Sequence, residues 1–370
     1  MAGSDPRPAM SLTLRPFQPE DAPIVDALHR AVDWPVRSAA GWTWLMDNPA
    51  RPKDFPIGWL AQDAQGRAAF VGQFPQTFWA GEDPLLGVTG YSIIVPPELK
   101  GAAGRLIRQV MTTPGAAIFH TLNANALSAP LYRRYGLEPW PGETHALKLA
   151  WMIDPAACAA ANLTRRLAPH RSGRPGPERL LNRRLGRDME LRLPPQVTPL
   201  SSFDADWTVF WSRLKTEGRI LTDRSAATLR WRLAEPDGTL PPVMLAYRRD
   251  GAITGWLWAQ MVKMSRLEPP VLDIIDLIVL RDEPDAASAL AGALIANAGR
   301  LGAAKVRLQV IAPDLLAALG PLARRARREG GWGHGHARFA PEHEAVVRAG
   351  WSPTPFDGDY SFCLRPVPRS

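Results

Sequence analysis

The two halves of this chain repeat the same order of predicted helices, strands and turns. The first copy runs from Gly41 to Phe74 as GWTWLMDNPARPKDFPIGWLAQDAQGRAAFVGQF. The second runs from Thr228 to Trp258 as TLRWRLAEPDGTLPPVMLAYRRDGAITGWLW. Each copy has a Trp-rich helix, a turn at a proline, and two strands joined by a glycine turn that is typical of a hairpin. This order constrains the fold more than any other feature, because both halves have to accommodate it.

The repeat continues beyond the hairpins. VTGYSIIV (Val88–Val95) and LDIIDLIV (Leu272–Val279) are dense in β-branched residues, as central strands are. A helical stretch follows each of them, at Gly101–Met111 or Ala286–Leu301, and then another strand, AAIFHTL or AKVRLQV. We interpret the pattern as a tandem duplication of one α/β unit, with a mixed, mostly antiparallel sheet in each half. Chance similarity between two unrelated α/β domains is the alternative.

The length of 370 residues allows two domains with separate cores. We predict a flexible N-terminus over 1–10, a first α/β domain over 11–153, a basic connector over 154–195 and a second, degenerate copy over 196–370. The connector is rich in Arg, Pro and Gly and suits a solvated linker. It also suits contact with an anionic membrane, because Leu180, Leu181 and Leu185 would give a short helix an apolar side.

The net charge of +8 favours anionic partners such as a nucleotide phosphate, nucleic acid or an anionic membrane surface. Nucleic acid is not expected, because the basic-plus-aromatic surface motifs of its binding proteins are missing. Cys158 and Cys363 lie far apart in sequence and suggest neither a disulfide framework nor a zinc site. The N-terminus MAGSDPRPAM has no apolar segment, and no run approaches the roughly 18–20 residues of a membrane span. A cytoplasmic protein is expected, with association at the membrane surface left open.

One strand, loop and helix start, IIVPPELKGAAGRL from Ile93 to Leu106, has the features of a phosphate site. Small residues at a helix start leave the backbone N–H groups accessible, and the helix dipole favours an anion there. Lys100 and Arg105 add positive charge. Tight packing of the helix against the strand would explain the same small residues.

The segment NALSAPLYRRYGL follows the next predicted strand. Asn125 lies just beyond the strand, Ser128 can N-cap a helix and Gly136 can end it. Tyr132 then lies about one turn into the helix and is expected to point back toward the strand end. Together with the preceding loop, these residues would suit a thioester that carries a nucleotide.

Both segments resemble the GNAT superfamily of acyl-CoA-dependent N-acyltransferases, closely from Ile94 to Leu137 and more loosely from Leu12 to Trp140. The resemblance implies two tandem GNAT-like folds in which one strand splays from its neighbour and the pantetheine arm of CoA fits the gap. It implies that Tyr132 protonates the departing thiolate. The CoA-binding residues that it implies are Ile93, Ile94, Val95, Lys100, Gly101, Ala102, Ala103, Gly104, Arg105, Asn125 and Ser128.

This sequence departs from the family pattern at several positions. Ala103 stands where the family loop usually has a central Gly, and Arg105 stands where it has a small residue. The second half has no matching Asn or Tyr, and LRDEPDAASAL places acids where phosphate would lie. Acyl-CoA is therefore expected in the first half, and the second half is expected to shape the acceptor site.

Amine acylation also needs a base. His120 and Asp359 are the candidates, although His120 also suits a hydrogen-bonded residue within a sheet and the turn WSPTPFDGDYSF around Asp359 suits solvent. Asp273 and Asp276, on a buried strand, are weaker acceptor-site candidates. GGWGHGHARF, with His334 and His336, is predicted to be a flexible loop rather than a metal site, and no metal is expected.

The predicted function is acyl transfer from acyl-CoA to a primary amine. Some tandem GNAT-like bacterial enzymes acylate sphingoid bases, so the resemblance includes a long-chain amine among the acceptors. The 14 Trp residues also suit an apolar ligand. A GNAT-like binding protein without turnover is an alternative that the altered loop favours. A Fem-type transferase that uses aminoacyl-tRNA is another.

Overall fold

The computed structural model describes residues 12–167, 190–238, 240–263, 267–330 and 333–365. These ranges contain fifteen strands and ten α-helices. The strands are β1 Leu12–Pro16, β2 Gly58–Asp63, β3 Ala68–Ala80, β4 Asp83–Ile94, β5 Ile118–Ala124, β6 Glu138–Pro139, β7 Lys148–Met152, β8 Val197–Pro199, β9 Ile220–Thr222, β10 Val243–Arg249, β11 Ala252–Val262, β12 Val271–Val279, β13 Lys305–Leu308, β14 Arg327–Glu329 and β15 His334–Phe339. The helices are α1 Ala22–Ala31, α2 Ala39–Met46, α3 Ala102–Met111, α4 Ala129–Arg134, α5 Pro155–Leu167, α6 Ala205–Thr216, α7 Ala226–Leu233, α8 Pro284–Ala298, α9 Pro313–Arg325 and α10 Glu344–Gly350.

The strands form two sheets with the same topology. The first has the order β1-β2-β3-β4-β5-β15-β6, with β9 paired to the far end of β3. The second has the order β8-β10-β11-β12-β13-β7-β14. In both, the fourth and fifth strands are parallel, β4 with β5 and β12 with β13, and the other neighbours in each order are antiparallel. The predicted pair of mixed α/β sheets is confirmed.

Each sheet takes one strand from the other half of the chain. Strand β7 lies between β13 and β14 in the second sheet, and β15 lies between β5 and β6 in the first. The predicted boundaries assign one continuous segment to each fold, so they do not anticipate this exchange. An unpaired strand edge is a liability in any sheet. The exchange gives the edges of β5 and β13 a hydrogen-bonded partner strand, and each partner comes from the other half of the chain.

The segment GGWGHGHARF was predicted to be a loop, and that prediction is wrong, because His334–Phe339 forms strand β15. The glycine content has a packing reason. A Cβ on Gly335 would lie 2.1 Å from the carbonyl oxygen of Trp140, so only glycine allows this approach. His334 and His336 lie near His145, with ring centroids 6.0 and 6.1 Å away. Among the described residues, no group of three potential metal ligands was found.

A pair of tryptophans marks the symmetry between the halves. Trp44 on α2 and Trp231 on α7 stack with ring centroids 4.5 Å apart. Each indole Nε1 donates to the backbone oxygen of the other residue, at 2.7 and 3.1 Å. Each helix begins at a serine cap, Ser38 or Ser225, which precedes its Trp by the same number of residues in the sequence. Equivalent residues of the repeat therefore meet across the interface, which supports the duplication.

Most of the tryptophan content serves the cores. In the part of the chain that the structure describes, Trp34 is 47% exposed and eight Trp side chains are buried, namely Trp42, Trp44, Trp151, Trp207, Trp211, Trp256, Trp258 and Trp351. The abundance of Trp is thus explained by packing and is no argument for an apolar ligand.

Helix α5 occupies the first part of the predicted connector. Leu180, Leu181 and Leu185 lie outside the described residues, as does the N-terminus over 1–10. Within the described ranges, every helix is too short or too polar to cross a membrane.

Candidate active site

A gap opens between β4 and β5. The two strands pair at Gly87↔Ile118, Val88↔Phe119 and Thr89↔His120, and the ladder ends there. On its other side β4 stays paired with β3 as far as Ile94. The edge of β4 that faces β5 is therefore without a strand partner after Thr89. This is the splayed pair that the resemblance implied.

A β-bulge in β4 accompanies the gap. The register with β3 passes from Gly72↔Tyr91 to Phe70↔Ile94, so β4 carries one residue more than β3. Ser92 takes the extra position with φ +46°, in the left-handed region. Such bulges bend a strand and increase its twist, which directs β4 away from β5. Nothing in VTGYSIIV signals this bulge, because serine has no preference for the left-handed region.

The backbone of Ser92 provides a stability test of the bulge. Replacing Ser92 by Val is expected to lower the free energy of unfolding by about 1–2 kcal/mol relative to Ser92→Gly, because the left-handed region costs a residue with a Cβ about that much and a β-branched residue fits it badly. Urea denaturation of the two variants measures the difference. Equal stability of the two variants would contradict the bulge.

The loop after β4 leaves the start of α3 open. Gly101 is the N-cap of α3, and no side chain caps the helix there. A Cβ built on Gly101 meets no atom within 4 Å. Lys100 and Arg105 are exposed beside it. The start of α3 thus has open space beside Gly101 and two cations nearby, which are features of an anion site.

Asn125 and Ser128 hold the turn between β5 and α4. The Oδ1 atom of Asn125 accepts hydrogen bonds from the backbone amides of Leu127 and Ser128, both at 2.9 Å. The Oγ atom of Ser128 accepts from the amide of Asn125 at 3.0 Å. Ser128 occupies the N-cap position of α4, as predicted, but its side chain makes no cap hydrogen bond to the helix. Its backbone is already helical, so its hydroxyl turns back to Asn125 instead.

Tyr132 lies at the point where the gap begins. Its side chain is buried, and its hydroxyl is 3.5 Å from the position that a Cβ would take on Gly90, the first residue beyond the ladder. Burial and the negative charge of Asp359 together raise the pKa of Tyr132 to about 12, against a smaller lowering by a hydrogen bond with Thr121. Tyr132 is therefore a neutral hydroxyl donor at any physiological pH.

Asp359 approaches Tyr132 from the C-terminal segment. It opens a short 3-10 turn, Asp359–Ser361, which packs against β4 and β5. Its Oδ2 atom lies 3.5 Å from Nδ2 of Asn123, and its Oδ1 atom is buried with no hydrogen-bond partner among the described residues. Burial raises the pKa of Asp359, although Arg365 opposes the rise. A carboxylate with an unused oxygen beside Tyr132 can accept a proton.

His120 lies on the opposite face of β5 from Tyr132. Its ring contacts Phe78 and Trp351 edge-on, and its Nε2 atom is 2.8 Å from the backbone oxygen of Asp357. Burial lowers the pKa of His120, so its ring is neutral at pH 7. Tyr132 and Asp359 meet Thr121 and Asn123, which lie on one face of β5, whereas His120 lies on the other face.

The other acids are engaged in buried ion pairs. Asp276 binds Arg224 through both oxygens at 2.7 and 3.0 Å, and the same guanidinium reaches Asp357 at 3.3 Å. Asp273 pairs with Arg307 at 2.8 Å. Losing one partner of such a pair typically costs about 3–5 kcal/mol. These ion pairs give Asp273 and Asp276 a structural role, so their burial needs no contact with the acceptor amine.

The comparisons with known proteins agree with this fold. No family model matches the sequence, and no curated protein matches it. Among solved structures, a GCN5-related N-acetyltransferase from Anabaena variabilis has 14% identity and a TM-score of 0.51, over 89% of this chain and 73% of that one. N-myristoyltransferase from Saccharomyces cerevisiae, solved with myristoyl-CoA and inhibitors, has 11% identity and a TM-score of 0.54, over 90% and 82%. At these identities the likeness establishes the fold alone, and this chain therefore has the GNAT fold in two copies.

Proposed function

We propose that the protein is an N-acyltransferase that moves an acyl group from acyl-CoA, bound by the first half, to a primary amine. One observation carries the proposal. Tyr132 and Asp359, whose Oδ1 atom is unused, meet Thr121 and Asn123 on the same face of β5 beside the gap, in a fold similar to that of N-acyltransferases. A hydroxyl donor and a carboxylate base are the two groups that transfer from a thioester to an amine requires.

In the proposed complex, acyl-CoA follows the gap. The pantetheine arm would bind the unpaired edge of β4 at Ile93, Ile94 and Val95. The pyrophosphate would bind the amides of 101–105, with Lys100 and Arg105 beside them. Asn125 would contribute its Nδ2 amide, because its Oδ1 atom is already engaged by the turn that it forms with Ser128.

The reaction would use Asp359 on the amine side of the thioester and Tyr132 on the sulfur side. The amine nitrogen attacks the carbonyl carbon, a C–N bond forms, and the C–S bond breaks. Asp359 accepts the proton that the nitrogen loses. Tyr132 donates a hydrogen bond to the departing sulfur. Its pKa of about 12 lies roughly 3–4 units above that of a thiol, so stabilising the thiolate is a better role for it than full proton transfer.

An amine acceptor suits the charges next to Asp359. A cavity of about 40 Å³ adjoins the C-terminal segment and is lined by the acids Glu235 and Asp237. Arg365 lines the same cavity, and Glu235 is paired with Arg37 at 2.9 Å, so Asp237 is the acid that would attract a cationic amine. The same cavity has apolar lining from Leu240, Met261 and Phe362. We extend the proposal to long-chain amines such as a sphingoid base, of which only the amino group would fit a cavity of this size, as the first acceptors to test.

The acyl-CoA site is tested by Gly101→Glu. We expect calorimetry with CoA to show at least a tenfold loss of affinity, because the added carboxylate would face the pyrophosphate. Gly292→Glu on α8 is the matched control, since a Cβ there also meets no atom within 4 Å. Equal CoA affinities for the two variants would show that CoA does not bind this loop.

Turnover is tested separately, by thiol release from dodecanoyl-CoA with a series of primary amines. Release that depends on the amine supports the enzyme. Tight CoA binding without any release would favour the non-catalytic alternative.

A further inference from the structure

The second sheet has a gap at the same place as the first. Strands β12 and β13 pair from Val271↔Lys305 to Ile274↔Leu308, and the ladder ends there. A cavity of about 530 Å³ lies beyond this point, between the end of β12 and the start of α9. Its volume is within the range of about 300–1,000 Å³ that is usual for small-molecule sites. In the second fold this cavity takes the position that the proposed acyl-CoA gap has in the first.

The lining of the cavity is mostly apolar. The end of β12 contributes Leu277 and Val279, the start of α9 contributes Leu315 and Ala318, and β9 contributes Leu221. Such walls bury an alkyl chain favourably, at about 0.8 kcal/mol for each CH₂ removed from water.

Arg219 provides a charge inside this apolar lining. Its side chain is only 10% exposed, and its Nε atom lies 2.9 Å from Oε2 of Glu217. The angle at this Nε atom is outside hydrogen-bond geometry, so Nε has no hydrogen-bond partner among the described residues. Burial lowers the pKa of Arg219. A guanidinium in such a position favours a ligand with an acceptor group, and carboxylate matches its planar geometry.

The other charged groups of the lining are already engaged. Arg281 donates to the backbone oxygen of Glu217 at 2.7 Å, and its amide donates to the carboxylate of the same residue. The carboxylate of Asp314 accepts from the amide of Leu315 at 2.9 Å. Arg281 and Asp314 are exposed, so among the described residues of the lining Arg219 is the buried charged group.

CoA itself does not suit this cavity. The helix that would hold its pyrophosphate, α8, begins with Pro284, which has no amide hydrogen to donate. Acids flank that start at Asp282, Glu283 and Asp285. Asp282 pairs with Arg213 at 3.3 Å, and Glu283 pairs with Arg249 at 2.6 Å. Their charge would repel phosphate, so a ligand with a single, small anionic head is favoured.

We propose that the second fold binds an unesterified apolar carboxylate of the fatty-acid type. The carboxylate contacts Arg219, and the chain occupies the space between β12 and α9. This site is separate from the acyl-CoA site and does not depend on acyl transfer.

The chemistry of the ligand is tested by calorimetry with three probes of equal chain length on the unmodified protein. Dodecanoate is expected to bind at one site, and dodecan-1-ol and dodecylammonium at least tenfold more weakly. Binding of dodecanoate is expected to persist in saturating CoA. Displacement by CoA, or equal affinity for dodecylammonium, would overturn the proposal.

The position of the site is tested by Ala317→Phe. Ala317 is an exposed residue of α9 that lines the cavity, so a ring there should obstruct the chain without disturbing the core. We expect at least a tenfold loss of dodecanoate affinity, with the thermal unfolding midpoint unchanged. Ala159→Phe, at an exposed position on α5, is the matched control and should bind normally. Normal binding by Ala317→Phe would place the ligand elsewhere and overturn the proposal.

Discussion

Tyr132→Phe is expected to lower the rate of acyl transfer by roughly 10²–10⁴-fold, the range for a positioned proton donor or acceptor. The substitution keeps the ring that packs among the buried residues near Phe119 and Val110, so folding and CoA affinity should not change. Only the hydroxyl at the mouth of the gap is lost. Single-turnover measurement with dodecanoyl-CoA separates the chemical step from product release.

The control for this prediction is Tyr247→Phe. Tyr247 is also buried, but it lies in β10 of the second sheet, away from the gap. It should transfer acyl groups at the parent rate. If Tyr132→Phe did so as well, the hydroxyl would have no part in the reaction, and the Asn125–Tyr132 pattern would be structural only.

Asp359→Asn is expected to lower kcat/KM by a similar roughly 10²–10⁴-fold and to change its pH dependence. Asp359 is a base only when it is deprotonated, and burial raises its pKa above the ordinary value of 3.8. The rate should therefore rise with pH through that raised pKa. The Asn variant should lose this acid limb and keep only the ionisation of the amine substrate. With a pKa of about 12, Tyr132 causes no fall in rate at neutral or mildly alkaline pH.

Stability distinguishes this role of Asp359 from a structural one. A carboxyl group whose folded-state pKa is raised favours the folded state below its unfolded pKa, and that contribution is lost as the pH rises through the folded pKa. At pH 7 the buried carboxylate is then unfavourable, and Asp359→Asn should unfold at an equal or higher urea concentration than the parent. Asp282→Asn, at an exposed position, should match the parent in both rate and stability. Reduced stability of Asp359→Asn with an unchanged pH profile would show that Asp359 has a structural role.

Much of the local structure could be predicted because its signals are local. The β-branched runs around Val88 and Leu272 indicated strands β4 and β12, since such residues fit buried strands. Gly136 indicated the end of α4, and its φ of +78° is a conformation that glycine adopts freely. The position of Tyr132, one turn into a helix after a strand end, followed from spacing alone. These predictions needed no knowledge of which elements pair.

By itself the sequence determined the duplication, the order of helices and strands, and the segment that contains Tyr132, because each depends on residues close together in the chain. Tertiary structure alone decided that β7 and β15 exchange sheets. Strands of alternating or apolar residues can complete either open edge, and only the full set of long-range contacts selects one. Tertiary structure also decided that Asp359, and not His120, lies on the same side of β5 as Tyr132. The register of β5 places neighbouring residues on opposite faces of the sheet, and the path of the C-terminal segment determines which acid returns to the gap.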